Sequence, residues 1–214
     1  MVKLACDANT SAPVGTHDVP FGTLQRPCEG DEAPSLMWMD VSGPCRDAAD
    51  WVIGLALLND GKYGCDIDGS TARLTILRCV PYAYHEPHPF GARQRYDWVD
   101  LGSQEFTVVL HPHVGNWRDS NLCLRARALN MPPLLVTMHS HEGALPASAS
   151  LAVVETPGVE LSACKVAEDG DGYIVRLVEM HGRAVTAVFT WGSVSHAADV
   201  AACEVATLRL RVSE

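Results

Sequence analysis

No apolar run in the 214 residues approaches the length that crosses a bilayer as a helix, and the opening MVKLACDANTSAP has one lysine but no continuous hydrophobic stretch of the kind a secretion leader needs. Basic residues are scarce. Sixteen Lys and Arg stand against 26 Asp and Glu, a net charge of -10, which disfavours a phosphate backbone or an anionic membrane as main partner and suits a neutral or cationic one. Neither GxGxxG nor GxxxxGKS/T occurs, so a nucleotide cradle has no support, and the absence of GxSxG and HExxH removes two common hydrolase signatures. Eight cysteines are present but no CxxC pair. They are scattered, and Cys79, Cys123 and Cys164 sit in apolar stretches, so they read as reduced thiols packing as small hydrophobes. These absences lead us to expect a cytoplasmic chain with neither nucleic acid nor membrane as partner.

What is present is apolar residues, 47% of the chain, enough for a substantial core. Residues 1–50 are rich in Pro, Gly, Asp and Ser and read as a loop-rich lead-in with one strand-like start at 2–6; residues 51–214 read as the main sandwich. WVIGLALL (51–58) and ARLTILR (72–78) are strand-like, and we expect them to pair through KYGCDIDG as a long hairpin. QEFTVVLH (104–111) is a further β-rich run. One short helix is expected near residues 120–129, capped by Asp119 or Ser120 and stopped by Pro132 and Pro133. Beyond it SLAVVET, VELSACKV, YIVRLVEM, AVTAVFTW and VATLRLRV follow at short intervals with turn signals between them. Regularly spaced short strands predict an all-β fold, an antiparallel sandwich rather than a barrel.

Few constellations carry chemistry. His111-Pro-His113 and His139-Ser-His141-Glu142 put imidazoles at i and i+2, but without a third ligand fixed by spacing they read as surface or turn histidines, and no metal site is expected. Glu168, Asp169 and Asp171 form a turn, not a calcium loop. Nothing fixes two carboxylates about 5–10 Å apart, as glycoside cleavage needs. The aromatic rings read chiefly as core, with exposed loop tyrosines the better candidates for stacking on a sugar.

Several stretches occur together and in a fixed order: PFGTLQRP (20–27), WMDVS (38–42), GLALLNDGKYG (54–64), LTILR (74–78), QEFTVVLHPHVG (104–115), LN-x-PP (129–133), KVAEDGDGYIVRLVEMHG (165–182) and TLRL (207–210). In these the chain resembles the C-terminal β-sandwich region of family 38 α-mannosidases, the cytosolic type above all. The resemblance implies a sandwich of the galactose-mutarotase-like type and an accessory role in retaining hydrolysis of terminal α-mannosides. In that family the nucleophilic aspartate and a divalent ion, zinc or cobalt, belong to an N-terminal α/β barrel. No catalytic residue or metal ligand therefore carries over, and the chain alone is not expected to be catalytic. The NDGKYG turn matches a loop that supplies a basic contact at the rim of the family's active site, which makes Asn59, Asp60, Lys62 and Tyr63 candidate substrate-rim residues; a plain tight connection is the other reading. The implied partners are the catalytic barrel or an α-mannoside glycan, and the alternative role is a stand-alone carbohydrate-binding or protein-interaction module. Two stretches depart from the family pattern: a short connection between Asp199 and Glu204, read as a missing terminal hairpin, and a long loop over 82–97.

Overall fold

The computed structural model describes residues 1–81, 97–140, 142–144 and 146–211. The chain divides into two compact units, one made of residues 1–18 and 25–122, the other of 19–24 and 123–214.

The strands over residues 1–122 are β1 (Val2–Asp7), β2 (Val14–Val19), β3 (Gly22–Arg26), β4 (Ala33–Pro34), β5 (Trp38–Pro44), β6 (Val52–Asn59), β7 (Gly64–Asp68), β8 (Thr71–Leu77) and β9 (Val108–Val114); all fall in the first unit except Val19 of β2 and residues 22–24 of β3, which are counted with the second. They form a sheet of order β1-β8-β7-β4 and a second of order β3-β2-β5-β6-β9. Strand alternation sends Met39, Val41 and Leu57 of the second sheet onto Cys65, Ile67, Ala72 and Leu74 of the first, and these residues make one buried cluster. Each large side chain so buried stabilises by roughly 1.5–3 kcal/mol.

Three expectations are corrected here. Residues 1–50 are not mainly loop but hold five strands, because β2 and β5 bury polar residues, Thr16, His17, Asp18, Asp40 and Ser42, that look solvent-facing in sequence. The strands at 52–59 and 71–77 do not pair with each other. β6 pairs with β5 and β9, and the connecting KYGCDIDG supplies a strand of its own, β7, which pairs with β8. β9 runs on through Pro112 to Val114, since an edge strand tolerates the missing N–H.

The opposite face of the five-stranded sheet carries Trp38, Asp40 and Gly54. Trp38 packs on Trp117 at 4.9 Å between ring centroids. His113 Nε2 reaches Asp40 Oδ1 at 2.8 Å, from β9 to β5 across the intervening β6. The crossing passes over Gly54, where a Cβ would lie 2.5 Å from His113 Nε2 and 2.9 Å from Ser42 Cβ. A 3-10 turn (Trp117–Ser120), capped by Asn116, and α1 (Leu122–Asn130) follow; left-handed Asn121 separates them, so neither Asp119 nor Ser120 is the cap. The helix is where the sequence places it.

The second unit holds β10 (Ala152–Val154), β11 (Val159–Val166), β12 (Tyr173–Glu179), β13 (Val185–Trp191), β14 (Val194–Val200) and β15 (Val205–Leu210), in sheets β10-β13-β14 and β11-β12-β15. Val175, Leu177, Phe189 and Val200 lead its core. Five of the six strands fall in the expected stretches. β14, VSHAADV, was not among them, since its small and polar residues give no β signal; it makes an antiparallel pair with β13. Ten strand pairings, including all of those in the second unit, are antiparallel, and the all-β sandwich class holds. None of the eight cysteines forms a disulfide: Cys123 is buried and Cys79 half-buried as expected, but Cys164 is exposed.

Candidate functional site

The NDGKYG turn joins β6 to β7. Asn59, the last residue of β6, is 2% exposed. Its Oδ1 accepts from the backbone N–H groups of Gly61 (2.9 Å) and Lys62 (2.6 Å), and its Nδ2 donates to Leu36 O at 3.1 Å. This is the local geometry by which an asparagine side chain substitutes for backbone in a turn. Gly61, at φ 143°, occupies backbone space that a side chain rarely adopts. Asp60 Oδ1 accepts from Thr107 N at 2.9 Å, and that hydrogen bond is the main reason its carboxyl lies below the usual range. Asn59 and Asp60 thus shape and anchor the turn.

Lys62 and Tyr63 project from it. Lys62 Nζ lies 3.4 Å from Gln104 Oε1 and 5.2 Å from the centroid of the Phe106 ring. Tyr63 is 57% exposed. Its ring borders a shallow depression of about 230 Å3 lined by Glu32, Ala33, Pro34, Tyr63 and Gly64. Sequence reasoning missed Glu32 and Pro34, which are brought there by pairing of β4 with β7, Pro34 opposite Gly64. A two-residue strand inside EGDEAPS leaves no periodic signal. A second depression, about 470 Å3, lies among Val185, Thr186, Asp199, Val200 and Glu204, with no aromatic ring in its lining, and Asp199 Oδ1 there already takes the Thr186 hydroxyl.

The His111 and His113 pair does not form a metal centre. His113 is committed to Asp40, His111 Nε2 lies 3.3 Å from Ser120 O, and the two rings are 6.1 Å apart. His141 lies outside the described residues, as does most of the 82–97 loop. No group of three or more His, Cys, Asp or Glu among the described residues has metal-binding geometry. Asp169 and Asp171 are taken up by Arg209, at 2.8 and 3.6 Å. Among the described residues, no helix is long and apolar enough to cross a membrane.

Two family models match the chain: the glycosyl hydrolases family 38 C-terminal domain over residues 1–86, and the family 38 C-terminal beta sandwich domain over 158–210. The chain is a C-terminal region of glycoside hydrolase family 38. Among curated family 38 relatives, it is 32% identical over 192 residues to alpha-mannosidase 2C1 of Homo sapiens, covering 85% of this chain and 16% of that protein. It is 27% identical over 183 residues to alpha-mannosidase G of Dictyostelium discoideum, covering 81% and 15%. The chain thus spans about a sixth of the length of these relatives. An alpha-mannosidase structure from Enterococcus faecalis V583 superposes on 98% of this chain and 25% of its own, with a TM-score of 0.74 at 13% identity, a likeness of fold. The NDGKYG turn lies within the first family match, and the β11–β12 hairpin within the second.

Proposed function

We propose that this chain is an accessory β-region of an α-mannosidase, silent by itself, that works with a family 38 catalytic barrel in the retaining hydrolysis of terminal α-mannosides. The observation that carries this reading is the run MPPLLVTM at 131–138. Leu134 and Leu135 are 91% and 92% exposed, and Met131, Val136 and Met138 all exceed 60%. The run holds no charged residue. Burying side chains of this size is worth roughly 1.5–3 kcal/mol each, so five of them in water within eight residues mark a surface that a partner covers. A self-sufficient module would have put charge there.

In this reading Lys62 and Tyr63 are the rim residues that meet the glycan, one by its cation and the other by its ring, while Asn59 and Asp60 hold the turn that presents them. The nucleophile and the zinc or cobalt ion belong to the barrel, and no chemical step is assigned to residues of this chain. The partners are that barrel and the α-mannoside, not nucleic acid or membrane, and cysteines without disulfides suit a cytoplasmic setting. The test is hydrolysis of a chromogenic α-mannoside, with zinc or cobalt added, by the chain alone, by a separately made family barrel, and by the mixture. Hydrolysis by the mixture well above the barrel alone, with none from the chain alone, is expected. Activity of the isolated chain, or a mixture no better than the barrel, overturns the proposal.

A further inference from the structure

We infer that the depression beside Tyr63 is a binding site for one neutral hexopyranose ring, which the chain holds without help from any other domain. The turn divides its two projecting side chains: Lys62 faces Gln104 and Phe106, whereas Tyr63 faces Glu32 and Pro34. The volume of about 230 Å3 falls below the ~300–1,000 Å3 of sites for drug-sized ligands, which fits a single ring. Its walls have the two surfaces that a pyranose needs, an exposed aromatic ring with a proline beside it for the C–H face and a carboxylate for the hydroxyls.

Glu32 is set for the second task. Lys3 Nζ and Thr75 Oγ1 both contact its Oε2, each at 3.0 Å. Oε1 is left over Gly64, where a Cβ would come within 3.3 Å of it. The hydrogen bond from Lys3 is the main cause that keeps the Glu32 carboxyl below the usual range, so it stays an acceptor near neutrality. The same lysine offsets its charge and is shared with the buried Asp66, which Arg73 pairs as well, so two cations stand against these two carboxylates. That balance decides the ligand class: a carboxylate already paired with an ammonium gives a cationic ligand little to gain, while a polyol needs only the acceptor. Gly64 has an ordinary backbone conformation, so its missing side chain serves the space above it.

The choice of mannose as probe rests on the accessory reading above; the site itself rests on the geometry. Methyl α-D-mannopyranoside is titrated into the purified 214-residue chain, followed by amide chemical shifts and ligand saturation transfer, with methyl β-D-glucopyranoside and lysine methyl ester as comparators. We expect dissociation constants on the order of 1 mM for the mannoside, with shifts centred on residues 32–34 and 63–64. Tyr63→Ala weakens binding about tenfold, and Gly64→Val does the same by filling the space. Tyr63 is exposed, so its variant folds whatever becomes of Gly64→Val. No saturation transfer from any sugar, binding indifferent to Tyr63→Ala, or preference for lysine methyl ester each overturns the inference. None of these outcomes bears on complementation of the barrel, which is read separately.

Discussion

At the scale of single residues, burial governs ionisation in the first unit. His17 is 2% exposed on the core side of β2, with Nδ1 3.5 Å from Cys65 Sγ. Burial, with Arg26 adding to it, pushes the imidazole down from 6.5 to about 4, and burial pushes the Cys65 thiol up to about 12. Both groups are therefore neutral in the fold at neutral pH. Above pH 6.5 His17 is uncharged folded or unfolded and costs nothing. Between about 6.5 and 4 the unfolded chain takes up the proton first, so stability falls as pH falls, by on the order of 3 kcal/mol over the whole window. Urea melts at pH 7 and pH 5 should show a loss about 2 kcal/mol larger for the wild type than for His17→Gln. Equal losses in the two proteins would show that His17 does not bear this cost. No sequence pattern announces the effect, because the THD stretch reads as polar loop until β5 and β7 close over it.

Elements were legible where pattern and burial agree. β12 and β13 bury alternate residues, Val175 and Leu177, Ala187 and Phe189, and β11 to β13 are bounded by Pro-Gly, Asp-Gly and His-Gly turns, so alternation and turn chemistry point the same way. Elements built on buried polar groups were not legible. Glu179 ends β12 at 1% exposure, and its carboxylate accepts from three backbone N–H groups: His181 at 2.7 Å, Arg183 at 3.0 Å and Cys203 at 2.9 Å. It ties the β12–β13 turn to the approach of β15. The short connection after Asp199 links β14 to β15, and this carboxylate fastens it. Glu179→Ala strands these donors and should cost about 3 kcal/mol, measured as a lowered urea midpoint, with Glu179→Gln losing less. An unchanged midpoint would mean that the link holds without the clamp.

For the molecule as a whole, family membership was legible and the interaction surface only partly so. The order of motifs in sequence carried the family. Of the proposed rim, the turn was visible as NDGKYG, whereas Glu32 and Pro34 reach Tyr63 only through a two-residue ladder. The apolar run after the helix could be read as core until its exposure was known. If it is the surface that a catalytic barrel covers, Leu134→Asp with Leu135→Asp should abolish the gain in activity on mixing and leave the chain's melting temperature within about 2 °C, since neither side chain contributes to a core. Full complementation by that double variant would place the docking surface elsewhere.

The His113 crossing also constrains how such a chain can change by descent. A side chain at Gly54 is blocked while His113 lies over it, and loss of His113 leaves the Asp40 carboxylate buried without its imidazole. Three positions on three strands, 73 residues apart at the extremes, therefore behave as one heritable unit. The tolerated route out runs in a fixed order: Asp40 gives way first, His113 second, and position 54 accepts a side chain only after Ser42, whose Cβ would lie 2.9 Å from it, has shifted as well.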